Sequence, residues 1–204
     1  MDRSRVDRNT VTAAGEGNAG GLYLEGLALT ITASTISRNR AFYNGGIWIN
    51  ACQVEMTSTT IAGNEATGSN GGGVWLGNGP TGRLRNVTIA DNHATGDSVV
   101  AGAIFGGGLS LENTLIAGNT AMYTPTCDES HQGSGNLEWP DDGAECTSDP
   151  LIADPELGAL DERGVMAPAA GSPAAGIATG CPETDQLGEA RPEPCTAGAV
   201  EVAP

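Results

Sequence analysis

Apolar residues in this chain come in runs of two or three that alternate with polar ones, and the runs recur. A first set is Leu22-Tyr23-Leu24, Ile47-Trp48-Ile49, Val74-Trp75-Leu76 and Ile104-Phe105, each following a glycine-containing turn. A second is Leu29-Thr30-Ile31, Val54-Glu55-Met56 and Leu109-Ser110-Leu111, with a poorer copy around Leu84. The third places a branched residue three positions before an Asn, at Val6, Ile36, Ile61, Ile89 and Ile116. Alternation with period two predicts strands, and no stretch sustains an apolar period of 3.6 between helix caps.

The anchors Asn9, Asn39, Asn64, Asn92 and Asn119 lie 30, 25, 28 and 27 residues apart, each followed two positions later by Ala or, once, Val. Three strands per copy, none able to bury its own apolar face, predict an all-β fold. The architecture expected is a right-handed, single-stranded parallel β-helix, a solenoid of three strands per coil. Coils then stack about 4.8 Å apart and equivalent residues form columns along the rod. Ile36, Ile61, Ile89 and Ile116 make one inward column, and Leu22, Ile47, Val74 and Ile104 another. Asn39, Asn64, Asn92 and Asn119 form a structural ladder at a turn, where a side-chain amide can bond to turn backbone.

Outward columns carry the candidate chemistry. Tyr23, Trp48, Trp75 and Phe105 put one aromatic on each of four coils, a flat strip on which sugar rings can stack; the competing account is a stack that steadies the sheet. A second face aligns Thr30, Glu55, Arg83 and Ser110 beside Thr32, Thr57, Arg85 and Glu112. There Glu55 faces Arg83 and Arg85 faces Glu112, a small ladder of alternating sign. Arg40 and Glu65 are expected to pair in the same way at a turn.

Composition sharpens this picture. Thirty-one Gly suits frequent turns, and 4% aromatic content suits a narrow core. The length gives about seven coils counting the C-terminal part, hence one domain: coils over residues 1–120, then degenerate final coils and an acidic, irregular, disulfide-containing cap over 121–204. Residues 1–120 hold nine acids against seven Arg, whereas 121–204 hold sixteen against two, so the net charge of −16 is concentrated in the cap. Such a surface disfavours nucleic acid and anionic membranes. No apolar run reaches the length of a membrane-spanning helix.

"MDRSRVDRNT" lacks the apolar stretch of a signal peptide. The first copy starts almost at its Asn turn, which suggests either a C-terminal part of a longer secreted protein or a short capping segment at residues 1–5. An uncovered first coil would invite self-association through its strand edges.

The five cysteines suggest two local disulfides, Cys127–Cys146 and Cys181–Cys195, which close the smaller loops; spacing alone leaves the connectivity open. Cys52 falls on an inward position and reads as a small buried hydrophobe. A calcium ion would suit the oxygen ligands of Asp141-Asp142-Gly143-Ala144-Glu145, although no EF-hand spacing is present and a solvated acidic loop explains the same residues.

The repeats, with "NGGIWI" and "TTIAGNEAT", resemble right-handed β-helix repeats of bacterial surface proteins, including the polymorphic outer-membrane type. The stretch from "DPLIADPELGAL" through "GVMAPAAGSPAAG" to "CPETDQLGEARPEPCTAGAVE" is similar to the choice-of-anchor Q domain. The resemblance covers nearly the whole chain. It implies a cell-surface or extracellular location and a C-terminal region that completes and caps the β-helix, but no reaction.

Catalytic chemistry finds little support. Glycoside hydrolysis needs two carboxylates about 5–10 Å apart, and no outward column puts two acids on adjacent coils. A lyase of the pectate type wants clustered Asp for calcium beside an Arg or Lys base, and the chain has no Lys. His93 and His131 have no implied partner and form no metal set. The sequence points to a non-catalytic extracellular module acting as adhesin, glycan-binding surface or stalk. The alternative is a polysaccharide-active lyase or glycoside hydrolase of β-helix fold, with its site at Glu55, Arg83, Arg85 and Glu112. A third reading, an ice-binding solenoid, rests on Thr30, Thr32, Thr57, Thr59 and Thr60.

Overall fold

A computed structural model describes residues 1–12, 18–97, 99–124, 126–141 and 143–203; none of these is helical, and all strand pairings between named strands are parallel. The first sheet stacks Leu22–Glu25, Ile47–Asn50, Val74–Gly77 and Ile104–Phe105, with Leu22, Ile47, Val74 and Ile104 in register. The second and third strands of each coil join into one nine-stranded sheet. They join because Gln53–Ala62 and Thr81–Ala90 run unbroken through a left-handed residue, Ser58 at φ 45° and Asn86 at φ 50°. Ala33 and Asn113 turn the chain at the equivalent places of the neighbouring coils, at φ 46° and 53°. A short third sheet links Arg40–Ala41, Glu65–Ala66 and His93–Ala94.

The chain is therefore a parallel β-solenoid with a core of stacked branched side chains. Ile36, Ile61, Ile89 and Ile116 are fully buried, as are Ile31, Met56, Leu84 and Leu111 in the second-strand column. The copy around Leu84, weak as a pattern, is a complete ten-residue strand paired on both sides. Its alternation is hidden because Gly82 stands where the preceding coils carry Leu29 and Val54.

Four complete turns form rather than seven. The first sheet has four rungs of named strands, and only the third-strand column continues as strands, through Leu115–Ala117 to Leu137–Trp139 and Leu151–Ile152, while the first and second columns go one rung further as the single bridges Ile104–Cys127 and Ser110–Gln132. The inward position of that column is then taken by Glu138 and Ile152, while Cys127 and Cys146 extend the core from the other columns. The rest of the chain does not wind.

Residues 154–203 instead run back along the flank of the third strands. The outward residues there, Ser37, Ala62, Ala90 and Ala117, are small, and Leu157, Leu160 and Met166 pack onto Ala62 and Ala90. Thr35 Oγ1 donates to the Gly164 carbonyl at 2.8 Å, Thr60 Oγ1 to Gln186 Oε1 at 2.6 Å, and the Ala199 N–H donates to Thr88 Oγ1 at 2.9 Å. Asn86 and Asn113 donate from their amides to the Thr196 and Thr179 carbonyls. This strap holds its own shape through buried Arg191, which reaches Glu201 at 2.9 Å and the Thr196 and Gly198 carbonyls. Of the Thr residues named for an ice-binding face, Thr59 and Thr60 are buried, Thr60 being bonded to the strap.

Candidate functional site

The aromatic column forms in register, Tyr23 beside Trp48, Trp75 and then Phe105. It is not a flat strip. Trp48 and Trp75 lie face to face, ring centres 4.6 Å apart and planes 14° apart, while Tyr23 meets Trp48 and Phe105 meets Trp75 edge-on at 5.6 and 4.8 Å. One face of each indole is consumed by the other indole, and the remaining neighbours are the end rings and Tyr43, 6.3 Å from Trp48. The Trp48 Nε1 atom is buried with no hydrogen-bond partner among the described residues. Sugar stacking needs a free ring face, and only Tyr23, 44% exposed, stands clear.

Beside the rings runs a row of polar groups, Glu25 and Asn50 two positions after their rings and Asn78 three after Trp75. Asn50 Nδ2 donates to Glu25 Oε1 at 3.0 Å, Asn78 Nδ2 donates to Asn50 Oδ1 at 2.8 Å, and the Tyr23 hydroxyl donates to Glu25 Oε2 at 3.3 Å. Desolvation and the neighbouring Glu25 charge raise the Tyr23 phenol above its usual range. The Ile104–Cys127 bridge carries the column one rung further, where Asp128 Oδ1 accepts the Gly106 N–H at 2.7 Å.

The charged face forms as the register requires. Glu55 lies opposite Arg83 and Arg85 opposite Glu112. Arg83 is the hub: its Nε is 2.9 Å from Glu55, its Nη1 is 3.8 Å from Glu112, and Arg85 reaches the same Glu112 oxygen at 4.0 Å. The hydrogen bond that Arg83 donates to Glu55, then the Glu55 charge, raise the Arg83 pKa. Each acid faces a guanidinium and not a second acid, an arrangement that fits alternating surface pairs better than a general acid and base. Arg40 and Glu65 pair at 2.8 Å.

Asn39, Asn64, Asn92 and Asn119 form a continuous buried ladder. Each of the first three donates its side-chain amide to the next Asn Oδ1 at 2.9–3.0 Å and to a backbone carbonyl of the preceding coil, Val6, Ile36 or Ile61. The same Oδ1 atoms accept the backbone N–H of the preceding anchor. Their chemistry is used up inside the turn.

Cysteines pair as Cys127–Cys146 and Cys181–Cys195, and Cys52 is free and buried. Cys146 adjoins a feature that the repeat pattern concealed, a polar end to the core. Glu138 occupies the inward column of Ile116 and is 2% exposed, and buried His131 pairs through backbone with Thr147. The signal was present in the degenerate coil as a Glu where the register calls for Ile. His93 is elsewhere, its Nδ1 2.8 Å from Thr120 Oγ1. For calcium, Asp142 lies outside the described residues, and Asp141 Oδ1 accepts the Gly143 N–H at 3.2 Å. Among the described residues no three His, Cys, Asp or Glu side chains converge on a metal position.

No family model matches the sequence, and no curated protein or solved structure matches it either.

Proposed function

We propose that this chain is a non-catalytic extracellular module of a bacterial surface or secreted protein, and that its role is that of a stalk, a stiff rod that spaces or displays what is joined to it. The observation behind this reading is that the side-chain columns close on themselves. The Asn ladder, the Trp48–Trp75 stack, the Arg83 hub and the strapped Thr column all direct their groups to partners in the same chain. The two bonded cysteine pairs suit an oxidising compartment, and the likeness of the C-terminal stretch to the choice-of-anchor Q domain supports display at a cell surface.

A second reading, adhesion to a polysaccharide or cell-surface glycan through Tyr23, Trp48, Trp75 and Phe105, is favoured by the exposed Tyr23 ring beside the Glu25–Asn50–Asn78 row. One experiment separates the readings: incubation with neutral and uronate polysaccharides, with and without calcium, scored for soluble oligosaccharide and for retention. The stalk reading expects no release and no retention that depends on the aromatic column. Retention lost in Tyr23→Ala or Trp48→Ala selects the adhesin. Released oligosaccharide overturns both in favour of a lyase or glycoside hydrolase.

A further inference from the structure

The outward residues of the third-strand column are small on the middle coils and then change abruptly. Ala90 is followed in register by Ala117, and Ala117 by Trp139. At the adjoining corner the left-handed residue is Asp91 on one coil and Gly118 on the next, at φ 51° and 65°. Because Gly118 has no side chain, the Asp91 carboxylate can lie over it; a Cβ there would stand 2.4 Å from Asp91 Oδ1. Beside them lies an open cleft of about 170 Å³ bounded by Asp91, Gly118 and Trp139, with Asp154, Leu157 and Met166 of the strap forming the remaining wall.

Three properties of this cleft go beyond packing. Asp91 is exposed, and its side chain has neither a hydrogen bond nor an ion pair among the described residues. Asp154 commits Oδ1 to the Glu156 N–H at 2.8 Å, which leaves its other oxygen to accept. Trp139 is 38% exposed and, in contrast to Trp48 and Trp75, has no ring partner among the described residues. An aromatic side chain with a spare face beside two exposed carboxylates suits a ligand with one apolar side and several hydroxyls.

We infer that the cleft is a saccharide subsite that takes one neutral sugar ring, its hydroxyls donating to Asp91 and Asp154 and its C–H face resting on Trp139. Charge-assisted hydrogen bonds to carboxylate are the strong ones, and aromatic rings bury apolar surface with a defined geometry. The volume is below the roughly 300 Å³ at which sites for drug-sized ligands begin, which sets the occupant at about one ring. With two carboxylates and no guanidinium among its lining residues, the cleft disfavours uronates and phosphorylated sugars. A stalk can carry such a subsite, so the inference does not depend on the role assigned to the rod.

The test is titration of the intact chain with cellobiose, xylobiose, galactose and N-acetylglucosamine, read by saturation-transfer NMR, with choline as a cationic counter-probe. Asp91→Asn keeps a residue that tolerates positive φ, and Trp139→Ala removes a side chain that is already partly exposed. The expected result is binding of at least one sugar that each substitution weakens at least tenfold, with unfolding temperatures within a few degrees of the parent. Absence of binding by all four sugars, or equal binding by parent and both variants, overturns the subsite. Choline binding in preference to every sugar also overturns it, since that would make the cleft an ammonium site. Failure here leaves the stalk reading intact, and oligosaccharide release in the polysaccharide incubation would leave the subsite intact.

Discussion

The Glu138 carboxylate lies inside the end of the solenoid and accepts the backbone N–H of Cys146 at 2.8 Å. Its other oxygen accepts from the N–H and hydroxyl of Thr147, both at 3.2 Å. A carboxylate in register between Ile116 and Ile152 interrupts the apolar column and caps backbone donors. Burial pushes its pKa up to about 7, outweighing these hydrogen bonds, which favour the charged form. Between pH 4.5 and 7 the folded chain holds a proton here that the unfolded chain has lost, so stability falls as pH rises through that window. The loss amounts to about 3 kcal/mol at most. Denaturant unfolding at pH 5 and pH 8 should show the difference, and Glu138→Gln should flatten it.

His131 acts on the acid side. Its Nδ1 lies 3.2 Å from the Leu109 carbonyl, Nε2 has no partner among the described residues, and burial lowers its pKa despite Asp128 and Glu129 nearby. The unfolded chain takes up this proton first, so the contribution is complete above pH 6.5 and is lost as pH falls through the folded pKa. His131→Gln, which cannot titrate, should reduce the loss of stability between pH 6.5 and 4.5 in the same unfolding measurement.

The Asn ladder should respond by position. Asn64→Ala removes the acceptor of both Asn39 donors and the donor to the buried Ile36 carbonyl. Several buried groups left without partners should cost about 3 kcal/mol or more. Asn9→Ala at the exposed end loses one side-chain bond to Asn39 and should cost about 1 kcal/mol. Equal losses at the two positions would argue against a ladder.

Cys127–Cys146 closes a separation of 19 residues and joins the end of the first sheet to the segment that caps Glu138. Replacing both with Ser should lower stability by about 3 kcal/mol, read as a shifted denaturant midpoint. Cys52, 2% exposed, should resist iodoacetamide in the folded chain and react on unfolding, as peptide mass mapping would show.

Trp75→Ala should reduce stability by about 1 kcal/mol beyond the area lost, because it removes the stacked partner of Trp48 and the edge contact of Phe105. If the rings are structural, polysaccharide retention stays unchanged while the melting temperature drops.

The period of the Asn anchors and the two-residue alternation sufficed to determine the solenoid, its inward columns and the pairing of Glu55 with Arg83. Each of these depends only on which residues share a position in successive coils, and that follows from spacing. Three matters were decided in three dimensions. Ring orientation in the Trp48–Trp75 stack depends on side-chain torsions that register does not constrain. The strap over Ala62 and Ala90 is a contact between segments about a hundred residues apart, and it turned an outward Thr column into an interior one. The cleft at Asp91 forms where Gly118, a Trp one rung on and a strap residue, Asp154, meet at one corner. Repetition is legible along a chain because it is local and periodic, whereas such a site is assembled once, from segments that have no periodic relation to one another.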